Sequence, residues 1–319
     1  MPDQPGLQRK DVLVTGGHGF IGRHVVAALA RAGANPISVA QTGGTVVPDL
    51  PGETIILDLE DRDRVTAAVA DIDGVVHLAA RAGGIRFQQE GAEDVFTSNR
   101  RITDNLLASC ARAKVTRMFL ASSLVTYGAS SEPLTESHPQ LGPVDRPSPY
   151  AWSKITDEVV ASWHQDLDIV IGRFGNVYGP GAPFHPDRST VVHALVDRAA
   201  RLSDGDELVV WGDGSAIRSF IFVEDAARAV LIALANGESG EAYNIDSGVA
   251  VTIAQLASAV RDQVNPTLSL TFDPSQPAGA PYRVASIEKL SVAGYTPEVD
   301  LEEGVRRTVN WYRENLSSA

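Results

Sequence analysis

Apolar positions along the first half of the chain fall into short β-branched runs separated by longer stretches of helical period. The runs are Val12–Thr15, Ile37–Ala40, Thr54–Leu57, Gly74–Ala79, Arg117–Ser122 and Ile169–Phe174. Between them the 3.6-residue period predicts helices over Arg23–Arg31, Arg62–Val69, Glu93–Ala113 and Ala151–Gln165. Strands alternating with helices imply an α/β fold, a doubly wound parallel sheet covered on both faces. Ligands of such sheets bind beyond the carboxyl ends of the strands, so residues just after each strand are the ones to inspect.

After Val177 the alternation weakens. Gly179, Pro180, Gly181, Pro183 and Pro186 make an irregular loop. Helix-like segments follow at Val191–Arg201, Glu224–Ala235, Ile253–Gln263 and Leu301–Leu316, with strand-like ones at Glu207–Trp211 and Ala242–Ile245. Asp273–Pro281 reads as a proline-rich loop. The expected organisation is a first domain over residues 1–175, joined again by about 215–247, and a smaller mixed α/β C-terminal substrate lobe over 176–319.

The stretch VLVTGGHGFIG (12–22) sets the chemistry. A strand runs into Gly16, Gly19 and Gly22, and a helix follows. One glycine permits the sharp turn, one lets backbone approach a pyrophosphate, and one lets helix and strand pack closely. The helix N-terminus then offers unpaired N–H groups and a positive dipole end to phosphate. A dinucleotide is the ligand this arrangement points to. An Asp or Glu after the second strand would bond the adenosine ribose of NAD. Ala40-Gln41-Thr42-Gly43-Gly44 has none, which favours NADP(H) over NAD(H). His18, Arg23 or a more distant arginine could face a 2′-phosphate. Asp58 could accept from the adenine amino group or cap the helix after it. Leu78, Ala79 and Ala80 are small or apolar where a strand must let a cofactor lie close, and His77 reads as a core histidine.

Tyr150 and Lys154 stand four apart, on one face of a helix. A free phenol titrates near ~10. A neighbouring ammonium favours the phenolate, so such a pair can exchange a proton with an alcohol while hydride moves. Ser122 and Ser123 end the strand MFLASS, where a hydroxyl can donate to a substrate carbonyl.

Composition narrows the partners. The 319 residues are 44% hydrophobic, enough for a large core, and carry a net charge of −13 from 27 basic and 40 acidic side chains. Without a basic block, nucleic acid is not an expected partner. The single cysteine, Cys110, excludes disulfides and cysteine metal sites within one chain and reads as a core thiol; no metal is expected. No leader-like segment or membrane span is evident, so a cytoplasmic protein is expected.

These pieces resemble the extended short-chain dehydrogenases/reductases of the nucleotide-sugar epimerase/dehydratase group, most of all its GDP-fucose synthase and GDP-mannose 3,5-epimerase branches. The matching motifs are GGHGFIG (16–22), HLAARAGGI (77–85), FLASS (119–123), YAWSK (150–154), RFGNVYGPG (173–181), FHPDRSTVVHAL (184–195) and WGDGSAIRSFIFVEDAA (211–227). The resemblance implies a Rossmann domain with a lobe that binds a nucleotide diphosphate sugar, GDP- or dTDP-linked, and a homodimer built on the helices at Glu93–Ala113 and Ala151–Gln165. It implies Ser123, Tyr150 and Lys154 as catalytic residues. Gly16, Gly19, Phe20, Ile21, Gly22, Asp58, Leu59, Leu78, Ala79, Ala80 and Asn99 would join Tyr150 and Lys154 in holding the cofactor. Ser122, Ser123, Asn176, Val191, Arg218 and Arg283 would hold the substrate.

Departures from those branches restrict the reaction. Val125 stands where they carry a proton-transferring cysteine, and Thr190 where a partner histidine follows; His185 and His193 do not fit that slot. The Asp-Glu pair of the dehydratases is replaced within Leu124, Val125 and Thr126. Epimerisation at C3 and C5 and 4,6-dehydration are therefore not expected. Hydride transfer at C4 remains: NADPH-dependent reduction of a nucleotide-linked 4-keto-6-deoxyhexose, or alternatively NAD-dependent 4-epimerisation.

Overall fold

The side chains of the first strand point alternately to two different cores, and that alternation builds the main layer. In a computed structural model, which describes residues 5–82, 91–140, 148–184, 189–276 and 279–316, β1 (Asp11–Thr15) sends Val12 and Val14 to one face and Leu13 to the other. It is followed by α1 (Phe20–Arg31), β2 (Asn35–Ala40), β3 (Glu53–Ile56), α2 (Arg62–Ala68) and β4 (Gly74–His77). Then come α3 (Ala92–Ala113), β5 (Arg117–Ser123), α4 (Pro149–Ala161), β6 (Ile169–Phe174), β7 (Asn176–Tyr178) and α5 (Val191–Ala200). The remainder is β8 (Glu207–Trp211), β9 (Ile217–Arg218), β10 (Phe220–Phe222), α6 (Val223–Asn236), β11 (Ala242–Ile245), β12 (Val251–Thr252), α7 (Ile253–Val264), β13 (Ser269–Asp273), β14 (Tyr282–Arg283), α8 (Glu288–Val292) and α9 (Leu301–Asn315).

Seven strands form one parallel sheet in the order β11-β6-β5-β4-β1-β2-β3. This is the Rossmann arrangement, with the strand order reversing at β1 and β4. One face is covered by α1 and α6, whose Val25, Val26, Leu29, Ala226, Val230 and Ala233 pack on Val12, Val14, Val76 and Phe119. The other is covered by α2 and α3, whose Val65, Leu106, Leu107 and Cys110 pack on Leu13, Val75, Met118 and Leu120. Cys110 is buried, as expected of a core thiol. α6 and β11 join the first core although they lie late in the chain. A third core gathers α5, β8, β10, α7 and α9 around Val192, Leu195, Leu208, Phe220, Leu256 and Val305.

Several boundaries differ from the pattern-based ones. Helix α4 starts at Pro149, because Ser148 caps it by accepting from Ala151 N at 3.1 Å and proline fits the first helical position. It ends at Ala161, short of Gln165. The short strands β9, β12 and β14, with two residues each, leave no trace in the pattern, since two residues carry no period. No helix among the described residues is long and apolar enough to cross a membrane.

Candidate active site

Every expected cofactor residue sits at the carboxyl ends of β1, β3 and β4 or on the helices behind them. Gly16 has φ +68°, and a Cβ there would stand 3.0 Å from Ala79 N, so the turn also brings the Leu78–Ala80 segment against the glycines. Gly22 packs so closely that a Cβ would reach 2.0 Å from Gly16 O. Gly19 caps α1 without any side-chain bond, leaving the first N–H groups of Phe20 and Ile21 for a ligand. These features fit a pyrophosphate. Leu59 and Asp58 follow β3; Asp58 accepts from Glu60 N at 2.9 Å, while Asp61, not Asp58, caps α2. The helix-cap alternative for Asp58 is thereby removed.

His77 is fully buried between Thr15 Oγ1 at 2.7 Å and Thr103 Oγ1 at 3.2 Å. Burial, with the Lys154 charge adding to it, pushes its pKa down to about 3. It is the neutral core histidine the sequence suggests. His18 departs from expectation. Its Nδ1 accepts from Val47 N at 2.9 Å and its Nε2 lies 3.1 Å from Ser38 Oγ, so the ring ties the glycine turn to β2 and the loop beyond. Burial and the Arg23 charge hold its pKa down. Arg23 donates to Gly19 O and His18 O and packs on Gly181, on the substrate-lobe side. Neither is placed to receive a 2′-phosphate at the end of β2.

Tyr150 and Lys154 occupy the first turns of α4, with the ammonium 6.0 Å from the centre of the phenol ring. Lys154 is buried beside Asp157 Oδ2 at 3.4 Å. Asn99, on α3, clamps the segment after β4 by accepting from Arg81 N at 2.7 Å, and reaches Ser153, the neighbour of Lys154. Ser123 ends β5 with its Oγ accepting from Val125 N at 3.3 Å. The strand period turns Ser122 the other way: its hydroxyl donates to Glu158 in a buried network with Arg173. The expectation that Ser122 holds substrate is corrected accordingly, because its hydroxyl is committed on the opposite face.

On the lobe side, Asn176 donates to Ser219 O at 2.8 Å. Arg218 and Arg283 are direct partners in the parallel β9–β14 ladder, which sets two guanidinium groups side by side. Burial, with the like charge of Arg283 adding to it, lowers the Arg218 pKa to about 10, and burial lowers that of Arg283. Both arginines are half-buried, and the Arg218 guanidinium donates to Ile217 O and Ala280 O. Val191 opens α5 and packs into the lobe core. His193 is buried against Gly179, its pKa lowered to about 4 by burial, and its Nδ1 lies 2.8 Å from Thr190 Oγ1. Neither residue presents an acid–base group. His185 and residues 83–85 lie outside the described residues.

Sequence reading missed Asp246. It ends β11, fully buried, accepting from Ser219 Oγ at 2.8 Å and Ser247 N at 2.6 Å. Burial raises its pKa to about 6 despite those bonds. Ser219 also accepts from Ala285 N, so this carboxylate fastens the Asn176, Arg218 and Arg283 backbone to the main sheet. Twenty-seven residues separate it from Ser219, and nothing in the local pattern marks the pair. A cavity of about 810 Å³ lies behind α4, between Glu158, Arg173 and the β11 edge, and its lining includes none of the candidate catalytic, cofactor or substrate residues. Among the described residues no cluster of ligands suits a metal ion.

A glycine-rich strand-to-helix turn, a tyrosine–lysine pair at the start of α4 and a strand-end serine together define an oxidoreductase or epimerase of the short-chain dehydrogenase type. The chain belongs to the NAD dependent epimerase/dehydratase family, whose model matches residues 12–246. It is 32% identical over 95% of its length to dTDP-4-dehydro-6-deoxy-D-allose reductase from a Streptomyces species, of which 96% is covered. It is 34% identical to a putative GDP-L-fucose synthase 2 of Arabidopsis thaliana, over 76% of each chain. Among solved structures, UDP-glucose 4-epimerase of Thermus thermophilus in complex with NAD is 30% identical, with a TM-score of 0.82, covering 96% of this chain and all of that one.

Proposed function

We propose that this protein reduces a nucleotide-linked 4-keto-6-deoxyhexose at C4. The observation that carries the reading is the intact Ser123–Tyr150–Lys154 set with Val125 and Thr190 where further proton-transfer groups would be needed. The near full-length likeness to a dTDP-4-keto-sugar reductase supports the same chemistry. The Gly16–Gly22 turn would hold the pyrophosphate of a reduced nicotinamide cofactor, which when bound would supply the hydride. Ser123 donates to the C4 carbonyl oxygen and polarises it. Tyr150 gives that oxygen its proton, and Lys154 favours the resulting phenolate and would bond the nicotinamide ribose. Asn99 steadies the lysine from α3. Asn176, Arg218 and Arg283 hold the diphosphate.

The reductant in this reading is NADPH, because no carboxylate follows β2 to repel a 2′-phosphate. With His18 and Arg23 turned elsewhere, NADH is expected to serve with less than about tenfold lower kcat/KM. The test is incubation with dTDP- and GDP-linked 4-keto-6-deoxyhexoses and each reductant. One equivalent of reductant oxidised per sugar reduced supports the reading. A protein that purifies with bound NAD and interconverts 4-hydroxy sugars without reductant is instead a 4-epimerase, a reading favoured by the structural likeness to 4-epimerases.

Replacing Arg283 by Gln is expected to weaken nucleoside diphosphate binding about 10–100-fold, the worth of one charge-assisted contact. Titration calorimetry with dTDP, UDP and GDP reads it, and an unchanged affinity removes the diphosphate assignment. A homodimer is also proposed, supported by Trp152, Val159 and Trp163, which are 45%, 45% and 70% exposed on and just beyond α4. Sedimentation velocity checks it.

A further inference from the structure

Behind the tyrosine–lysine pair lies a chain of buried charges that the proposed reaction does not use. Asp157, one turn beyond Lys154 on α4, is fully buried. Its Oδ2 accepts from Lys154 Nζ at 3.4 Å, and its Oδ1 accepts from Arg100 of α3. Arg100, itself mostly buried, also pairs with Asp104 one turn further along α3. Both Asp157 oxygens therefore face cations; burial pushes its carboxyl up from the ordinary value, and the charges and bonds of Lys154 and Arg100 oppose that rise. Among the described residues near the lysine, His77 of β4 is held neutral by burial, Asn99 and Ser123 are uncharged, and Glu158 is closed against Arg173 on the β6 side.

A carboxylate beside the ammonium has two consequences. It draws Lys154 away from the phenol, and its field opposes the one that makes Tyr150 a usable acid. Arg100 offsets the second effect by placing a positive charge on the far oxygen. We propose that Arg100 and Asp157 are positioning residues that set how much of the Lys154 charge reaches Tyr150, Asp157 diminishing it and Arg100 restoring it. This rests on the reading of Tyr150 and Lys154 as the acid–base pair. A purely structural ion pair would lose stability in either single variant and give both the same effect. A tuning pair gives opposite effects.

Asp157→Asn removes a negative charge, favours the phenolate, and is expected to move the Tyr150 titration down by roughly one pH unit. Arg100→Gln leaves Asp157 less compensated and is expected to move it up by a similar amount. The double variant returns close to the parent, and Arg100→Lys restores most of the Arg100→Gln shift. Two readouts apply. One is the ultraviolet phenolate difference titration of the full chain saturated with NADP+, with the Tyr150→Phe protein subtracted to isolate this phenol. The other is the alkaline limb of the pH–rate profile for reduction of a dTDP-linked 4-keto-6-deoxyhexose. Shifts of opposite sign, cancelling in the double variant, support the inference. Shifts of the same sign, or none, in variants whose melting midpoints stay within a few degrees of the parent overturn it. If Arg100→Gln does not fold, Asp157→Asn and Arg100→Lys still decide the matter: an unmoved titration in Asp157→Asn overturns it. A shifted phenol titration without any 4-keto-sugar turnover retires the proposed reaction and leaves this inference standing.

Discussion

Tyr150→Phe is expected to reduce turnover about 10³-fold while cofactor affinity stays within about twofold of the parent. The variant keeps the ring and removes one hydroxyl. Ser148 and Pro149 still start α4, so the helix register that carries Lys154 is preserved. Lys154 remains buried and 3.4 Å from Asp157, free to bond a nicotinamide ribose. What disappears is the proton for the C4 oxygen. Ser123 can polarise the carbonyl but its own proton is not replaced from a base, and Val125 and Thr190 offer no substitute. His193, on the lobe side, is fixed against Gly179 and held neutral by burial. The measurement is single-turnover hydride transfer with both ligands saturating, beside fluorescence titration of NADPH. A loss below about tenfold would mean that water or another side chain delivers the proton, and the catalytic assignment would fail.

How much of this was legible in the chain follows from the length scale of each interaction. Most strands of the main sheet announce themselves because they bury both faces and are bounded by turn residues; β3, at the sheet edge, is largely exposed. The pattern places β1 to β6 within a few residues of their bounds, and the glycine turn with them. The lobe's ladders leave no such mark, since Ile217–Arg218 and Tyr282–Arg283 are too short to show a period. Their pairing nonetheless brings Arg218 and Arg283 together. Period two also decides between the two serines: adjacent residues of a strand face opposite sides, so only one of Ser122 and Ser123 can look toward the ligand. His18 misleads for a different reason. Its position in the glycine turn suggests exposure to a phosphate, but Ser38, Thr54 and Val47, distant in sequence, enclose it. Asp246 and the Arg100–Asp157 pair stayed hidden because a buried charge is recognised by its partner, and those partners lie 27 and 57 residues away.

The largest effect on stability is expected from Glu158→Leu. Arg173 of β6 is 6% exposed, and Glu158 holds it through Nη2 at 2.7 Å and Nε at 3.1 Å. The remaining Arg173 nitrogen donates to Tyr127 Oη at 2.8 Å and to Glu136 O at 3.0 Å, and Tyr127 donates on to Asn244 of β11 at 2.9 Å. Burial alone would lower the Arg173 pKa; the bonds and charge of Glu158 outweigh it and raise the pKa above the usual arginine value. A group with a raised folded pKa contributes its stability fully below the unfolded value. For an arginine that covers every working pH, so the loss should be flat between about pH 5 and 9. Removing the carboxylate leaves a buried guanidinium uncompensated, at a cost of about 3–5 kcal/mol. For a chain of this length that is a fall of roughly 5–8 °C in melting midpoint. Arg173→Met added to Glu158→Leu should recover most of it, because two apolar groups of similar volume need no counter-charge. Calorimetry of the single and double variants tests this, and a double variant no more stable than the single would show that lost packing, not stranded charge, sets the cost. Activity should fall further than stability in the single variant, because Ser122 loses its acceptor and the end of β5, which carries Ser123, loses its anchor to α4.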